Sequence, residues 1–246
     1  MKKLLMIGFA CCMMVSLQAQ TTDIDGTTET EVDNKPNTDR DRFIFDVHWD
    51  GWLNDVDSPA VNVGAFSRGV GLHFYYDIPF SKNSEKDSTM FSFAPGIGYS
   101  CSNYNNKVQF IADSTGFVNV VPFDASIDPK RNKIVLNYIE IPLEFRFRSI
   151  GNNGKSFKIA AGFKGAYMFS SHTTYVGPES ATNLGEEVKY KTYRIKSLNS
   201  IQYGPTFRVG YGNINLQAYY GLNSIFEEAL GPSGNPLVIG ISFNPF

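Results

Sequence analysis

Apolar and polar residues alternate with period two in eight separate stretches of this chain. Ile214, Leu216, Ala218, Tyr220 and Leu222 form one row, with Asn215, Gln217, Tyr219, Gly221 and Asn223 between them. Successive side chains of a strand point to opposite faces, so each stretch predicts a β-strand with one greasy face. Similar rows run through Phe43–Trp49, Val70–Ile78, Phe91–Tyr99, Ile139–Phe147, Phe157–Tyr167, Ile201–Val209 and Leu237–Phe243. Helix-forming patterns are nearly absent. Eight such strands in an exported chain predict an all-β fold: an eight-stranded antiparallel up-and-down transmembrane β-barrel, greasy face to lipid.

Export is read from the first residues. Lys2 and Lys3 precede an apolar run from Leu4 to Val15, and Leu17-Gln18-Ala19 offers a cleavage site. Residues 1–19 are therefore expected to be a signal peptide, since a spanning helix needs about 20 apolar residues. Cys11 and Cys12 leave with it, and Cys101 remains alone, which excludes an intramolecular disulfide in the mature chain. The formal charge of −2 becomes about −4 when Lys2 and Lys3 are lost. That balance gives no reason to expect a nucleic-acid partner. Residues 20–41, rich in Thr, Asp and Glu, are expected to form a disordered acidic periplasmic tail, and 42–246 the barrel domain.

The segments joining the strands alternate long and short. Residues 105–132 and 173–196 make long gaps, whereas Gly151-Asn152-Asn153-Gly154 and Gly212-Asn213 make tight turns. Membrane barrels place long loops outside and short turns in the periplasm, so both termini are expected to be periplasmic. A soluble, lipocalin-like cup would point its greasy face inward. The greasy rows here are rich in Phe and Tyr, and the opposite rows mix Gly, Ala and Ser with charges, which suits a cramped lumen better than a wet surface.

Glu140, Glu144, Arg146, Arg148, Lys158, Lys164 and Arg208 all fall on the inward rows of the fourth to sixth strands. An unpaired buried charge costs several kcal/mol, so these seven are expected to interlock as ion pairs plugging the lumen. A symmetric turn at 151–154 places Glu140 near Lys164. The alternative is a polar path for small ions, although eight strands seldom enclose an open channel. His48 lies among Asp46, Asp50 and Trp52, and His73 shares a face with Tyr75 and Asp77; His172 is the third histidine. A lipid-modifying enzyme using His48 or His73 is a further alternative, but no nucleophile signature accompanies either. No metal-ligand spacing or phosphate-binding glycine loop is present, so no catalytic residue, cofactor or metal is expected. Within the long loops, Lys107–Ile111 and Val188–Ile195 look strand-like. They are expected to extend the barrel wall, or otherwise to form a partner-binding rim.

The segment Leu136-Asn137-Tyr138-Ile139-Glu140-Ile141-Pro142-Leu143-Glu144-Phe145-Arg146 resembles a strand of the PorT-like outer-membrane barrels of Bacteroidetes. The Gly-rich strand from Lys158 to Phe169, Tyr203-Gly204-Pro205, Tyr219-Tyr220-Gly221-Leu222 and the terminal Phe246 are similar to that family too. The resemblance covers roughly 42–246 and implies an eight-stranded outer-membrane barrel. It further implies a non-enzymatic structural or accessory role, because the family is named after a part of the type IX secretion machinery. The expected partners are outer-membrane lipid, the insertion machinery during assembly, and secretion or other envelope proteins. The shared motifs belong to the scaffold, so the resemblance carries over no functional residue. Phe246 resembles an assembly signal but is out of step with Ile239, Ile241 and Phe243, with Pro245 between.

Overall fold

The computed structural model describes residues 42–54, 61, 63–83, 88–149, 156–180 and 183–244. The signal peptide and tail expected over 1–41, the 151–154 turn and the terminal Pro245-Phe246 lie outside the described residues.

Twelve strands follow in chain order: β1 (Phe43–Asn54), β2 (Arg68–Tyr75), β3 (Ile78–Asn83), β4 (Ser88–Asn105), β5 (Val108–Ala112), β6 (Val118–Pro122), β7 (Arg131–Arg148), β8 (Phe157–Ser180), β9 (Asn183–Tyr193), β10 (Ile201–Tyr211), β11 (Ile214–Tyr220) and β12 (Gly234–Phe243). The ring runs β1-β2-β4-β7-β8-β10-β11-β12 and closes by pairing β12 with β1. Neighbours in the ring are antiparallel and consecutive along the chain, the up-and-down order expected. Gly212, at φ 60°, opens the tight turn between β10 and β11.

The barrel is inside-out relative to a soluble protein. Phe145 is 62% exposed, while its neighbour Glu144 is 4% exposed. The same inversion runs along β1, where Phe43, Phe45 and Val47 are exposed and Asp46, His48 and Asp50 are buried. Only lipid makes such an outer surface favourable. Exposed Phe43, Phe80, Phe91, Phe157 and Tyr211 mark the short-turn end of this surface, and Tyr99, Tyr167, Phe169 and Tyr203 the other.

The second predicted strand is divided. β2 pairs with β4 as far as Tyr75↔Gly96, and β3 resumes at Ile78↔Phe93. Pro95 lies opposite the break and has no N–H to give the ladder; its carbonyl accepts from Tyr76 N at 2.8 Å. The freed Asp77 turns its carboxylate to Arg146 and Arg148.

A strand crosses a bilayer in about 9–11 residues. At 18, 18 and 24 residues, β4, β7 and β8 rise well beyond that. β9 pairs with the upper part of β8 from His172↔Tyr193 to Ser180↔Asn183, so Val188–Tyr193 extend the wall as expected, while Ile195 turns in against the apolar bed of the mouth. The Lys107–Ile111 segment does not. β5 and β6 pair with each other, from Val108↔Pro122 to Ala112↔Val118. This hairpin lays Val108, Phe110, Val118 and Val120 over the barrel mouth, against Trp52, Tyr104, Leu136, Leu198, Ile225 and Phe226. The physical reason is burial: in a wall above the membrane those alternate apolar residues would meet water, whereas the mouth offers an apolar bed. Val118 N to Leu230 O (2.8 Å) and Ser197 Oγ to Gly116 O (2.7 Å) fasten this cap to the neighbouring loops.

Candidate functional site

The polar rows of the strands converge in the lumen, because a side chain that points away from lipid has nowhere else to go. Glu140 of β7 lies at the centre of one cluster. Its Oε1 accepts from Ser100 Oγ at 2.6 Å and Lys164 Nζ at 2.8 Å, and its Oε2 lies 2.8 Å from His73 Nε2. On its other side, His73 Nδ1 is 3.9 Å from Asp46 Oδ2. His48 continues the chain along β1, 3.6 Å from Asp46 and 3.3 Å from Asp50. Asp46 also accepts from Gln217, and Asp50 Oδ2 accepts the Asn103 backbone N–H at 2.8 Å. Lys164 Nζ sits 4.1 Å from the centre of the Tyr219 ring.

A second cluster forms nearer the short turns. Glu144 accepts from Tyr75 Oη (2.9 Å), Arg146 Nε (3.0 Å) and Arg208. Arg146 and Arg208 lie over the Tyr75 ring at 4.2 and 5.4 Å. Asp77 receives Arg146 Nη1 at 3.2 Å and Arg148 Nη2 at 2.7 Å, and Arg148 Nη1 donates to Ser92 Oγ at 3.1 Å.

All seven residues singled out from the sequence thus face the lumen, and all but Lys164 are fully buried. Glu140, Glu144, Arg146, Lys164 and Arg208 pair within this set; Arg148 pairs with Asp77, outside it. Lys158 lines a small cavity with Arg146, Arg148 and Arg208. Asp46, Asp50, Asp77, Tyr75, Ser100 and Gln217 complete the network. Their inward rows were visible in the sequence, but their partners depend on register. Among the described lumen residues, five carboxylates (46, 50, 77, 140, 144) meet five permanent cations (146, 148, 158, 164, 208). Such balance is what burial of charge demands.

The space left over is small. The main lumen cavity, lined by His48, His73, Tyr138, Glu140, Lys164 and Gln202 among others, measures ≈ 60 Å³, and the Arg146–Lys158 cavity ≈ 10 Å³. The first has room for only a few waters. Above it, Trp52 packs against Tyr104, Phe110 and Phe226 at ring separations of 5.6, 6.4 and 5.9 Å. His172 is not in the lumen; it sits in the wall extension, 5.5 Å from the Tyr193 ring. Among the described residues no group of three or more His, Cys, Asp and Glu is placed to hold a metal ion.

Residues 48–227 match the family model of the outer membrane protein beta-barrel domain. The fold is similar to the crystal structure of Ail, the attachment invasion locus protein of Yersinia pestis, at 11% identity and a TM-score of 0.33, covering 82% of this chain and 95% of that one. It is likewise similar to Ail in complex with the heparin analogue sucrose octasulfate, at 10% identity and a TM-score of 0.33, covering 82% and 96%. No curated protein matches the chain. With most of the chain inside the family match and an eight-stranded ring turned inside-out toward lipid, this protein belongs to the outer membrane protein beta-barrel domain family and resides in the bacterial outer membrane.

Proposed function

We propose that this barrel is a non-enzymatic scaffold that displays its capped, long-loop end outside the cell, keeps both termini in the periplasm, and serves as an accessory subunit of an envelope or secretion machine. The observation that carries this reading is the closed lumen: an ion-pair network fills the barrel and an aromatic cap covers its mouth. A plugged barrel offers partners its rim, not its interior. The long loops support the same view, because they build an ordered surface from β5, β6 and β9 rather than loose connections. His48 and His73 are held among carboxylates, an arrangement suited to bracing the wall. The PorT-like strand from Leu136 to Arg146 favours a secretion-associated partner over a stand-alone role. The test is cross-linking and affinity purification of the tagged protein from native outer membranes, read by mass spectrometry. Stoichiometric recovery of envelope or secretion subunits is expected. Recovery of the barrel alone, together with steady single-channel conductance in planar bilayers, would overturn the scaffold in favour of a narrow pore.

A further inference from the structure

Above the apolar belt, the outer face of the β7-β8-β9 sheet carries a ladder of cations. The register sets Lys133 and Lys191 on either side of Thr174, and Arg131 and Lys189 on either side of Val176. Strand spacing places the members of each pair about 10 Å apart and the two pairs about 7 Å apart along the strands. The inner face of the same strands carries Ile134, Thr173 and Tyr175, so alternation turns Arg131, Lys189 and Lys191 away from the cap; Lys133 borders the cavity on that side but reaches out to Asn103. Arg131, Lys189 and Lys191 are exposed and Lys133 is half-buried. Among the described residues, no acid shares these rows; Lys133 Nζ bonds only the neutral Asn103 Oδ1, at 2.7 Å. Among the described residues, Glu187 of the same strand is taken by Lys130. One member of the ladder and one neighbour register the resulting field. Lys133 is held below the usual lysine range by its burial and by Arg131 and Lys191. His172, on the next row down, is lowered by its burial and by Lys191 and Lys133.

Like charges set side by side on a sheet repel, so four of them held together call for an anion. The ladder is continuous, one row below, with the exposed Tyr193, and further down with the lipid-facing Tyr167 and Phe169. What stands at that height beside an outer-membrane barrel is the headgroup of the outer leaflet, a phosphorylated glycolipid. We propose that Arg131, Lys133, Lys189 and Lys191 seat the phosphate groups of this glycolipid and tie the wall extension to the membrane surface. Arginine grips phosphate through its planar fork, and lysine as a point charge. The inference rests on the outward orientation proposed above.

The experiment uses the full barrel refolded in zwitterionic detergent, with diphosphoryl lipid A as probe. Wild type is expected to bind it saturably and to bind chemically dephosphorylated lipid A far more weakly. R131Q/K189Q and K133Q/K191Q should each bind the diphosphoryl form about tenfold or more weakly, as two charges near an anionic surface require. R131Q/K189Q alters only exposed side chains and keeps the test independent of folding. Equal binding by wild type and variants, or equal binding of the two lipids, overturns the proposal. Orientation is read separately by labelling S114C at the hairpin tip of intact cells with a membrane-impermeant maleimide, against the wild-type background from Cys101. Labelling above background upholds the outward reading, so that a flat lipid A result then refutes the ladder alone. No labelling refutes the orientation, and the ladder's glycolipid with it.

Discussion

Lys164 faces Pro142 across the β7–β8 pair, yet its ammonium sits 2.8 Å from Oε1 of Glu140, one inward position away along β7. The contact is diagonal; Glu140 is buried and Lys164 mostly so behind the lipid-facing wall. K164M should leave the carboxylate with Ser100 and His73 alone and cost about 3–5 kcal/mol, the range for breaking a buried pair. Unfolding by denaturant in lipid vesicles, followed by heat-modifiable migration, measures it. E140M/K164M should cost less than either single change, because no charge is then stranded. A double variant whose loss equals the sum of the singles would show that the pair is uncoupled.

Gly98 on β4 faces the His73 ring, and a Cβ there would lie 2.9 Å from His73 Cγ and Nε2, and nearer still to Cδ2. G98A is expected to displace the imidazole from Glu140 and cost about 1–3 kcal/mol, as overpacking does. G98V should fail to refold. Adding H73A to G98A should restore much of the refolding yield; no recovery would place the clash elsewhere.

Phe226 is 1% exposed and stacks on Phe110 at 5.7 Å. F226A removes the main weight holding the β5–β6 hairpin to the mouth, at a cost of about 3–5 kcal/mol. The damage should stay local, since the ring of ladders does not pass through the cap. Limited trypsin digestion is expected to cut faster at Lys107 or Lys130, while heat-modifiable migration of the barrel stays intact. Unchanged digestion would mean the hairpin is held mainly by its backbone bonds.

His172 titrates below its ordinary 6.5 because of its burial and the nearby Lys191 and Lys133. The unfolded chain then takes up the proton first as pH falls. The histidine's contribution to stability is therefore full above about 6.5 and is lost as pH drops through the lower, folded value. K191Q should move the titration of the His172 ring back up, as followed by NMR of the imidazole protons. An unmoved titration would remove Lys191 as a cause.

The eight strands were legible because lipid outside and charge inside impose opposite demands on alternate residues, and both demands are written in side-chain type. Inward placement of Glu140, Arg146 or Arg208 followed from the same alternation. Most of the partners did not. A symmetric turn at 151–154 places Glu140 near Lys164, and the two do pair, although the ladder sets residue 140 opposite 166 and a bulge after Asn137 shifts it higher up. The two residues meet only because a long lysine reaches along the wall. The β5–β6 cap was illegible for a different reason: Val108, Phe110, Val118 and Val120 read as a strand whether they join a wall or cover a mouth. Only the apolar bed beneath them, formed by Trp52 and Phe226 from distant parts of the chain, decides between the two.

The seam of the barrel is the pairing of β1 with β12, from Phe45↔Phe243 to Asn54↔Gly234. Its two sides are separated by nearly the whole described chain, so the ring cannot be completed piece by piece as the strands emerge. Until β12 arrives, β1 and β11 both present bare edges, which invite pairing with other chains. Closure that depends on the most distant contact is also slow. The unclosed chain is therefore prone to aggregate, and any lesion that weakens β12 should be felt as aggregation before it is felt as instability.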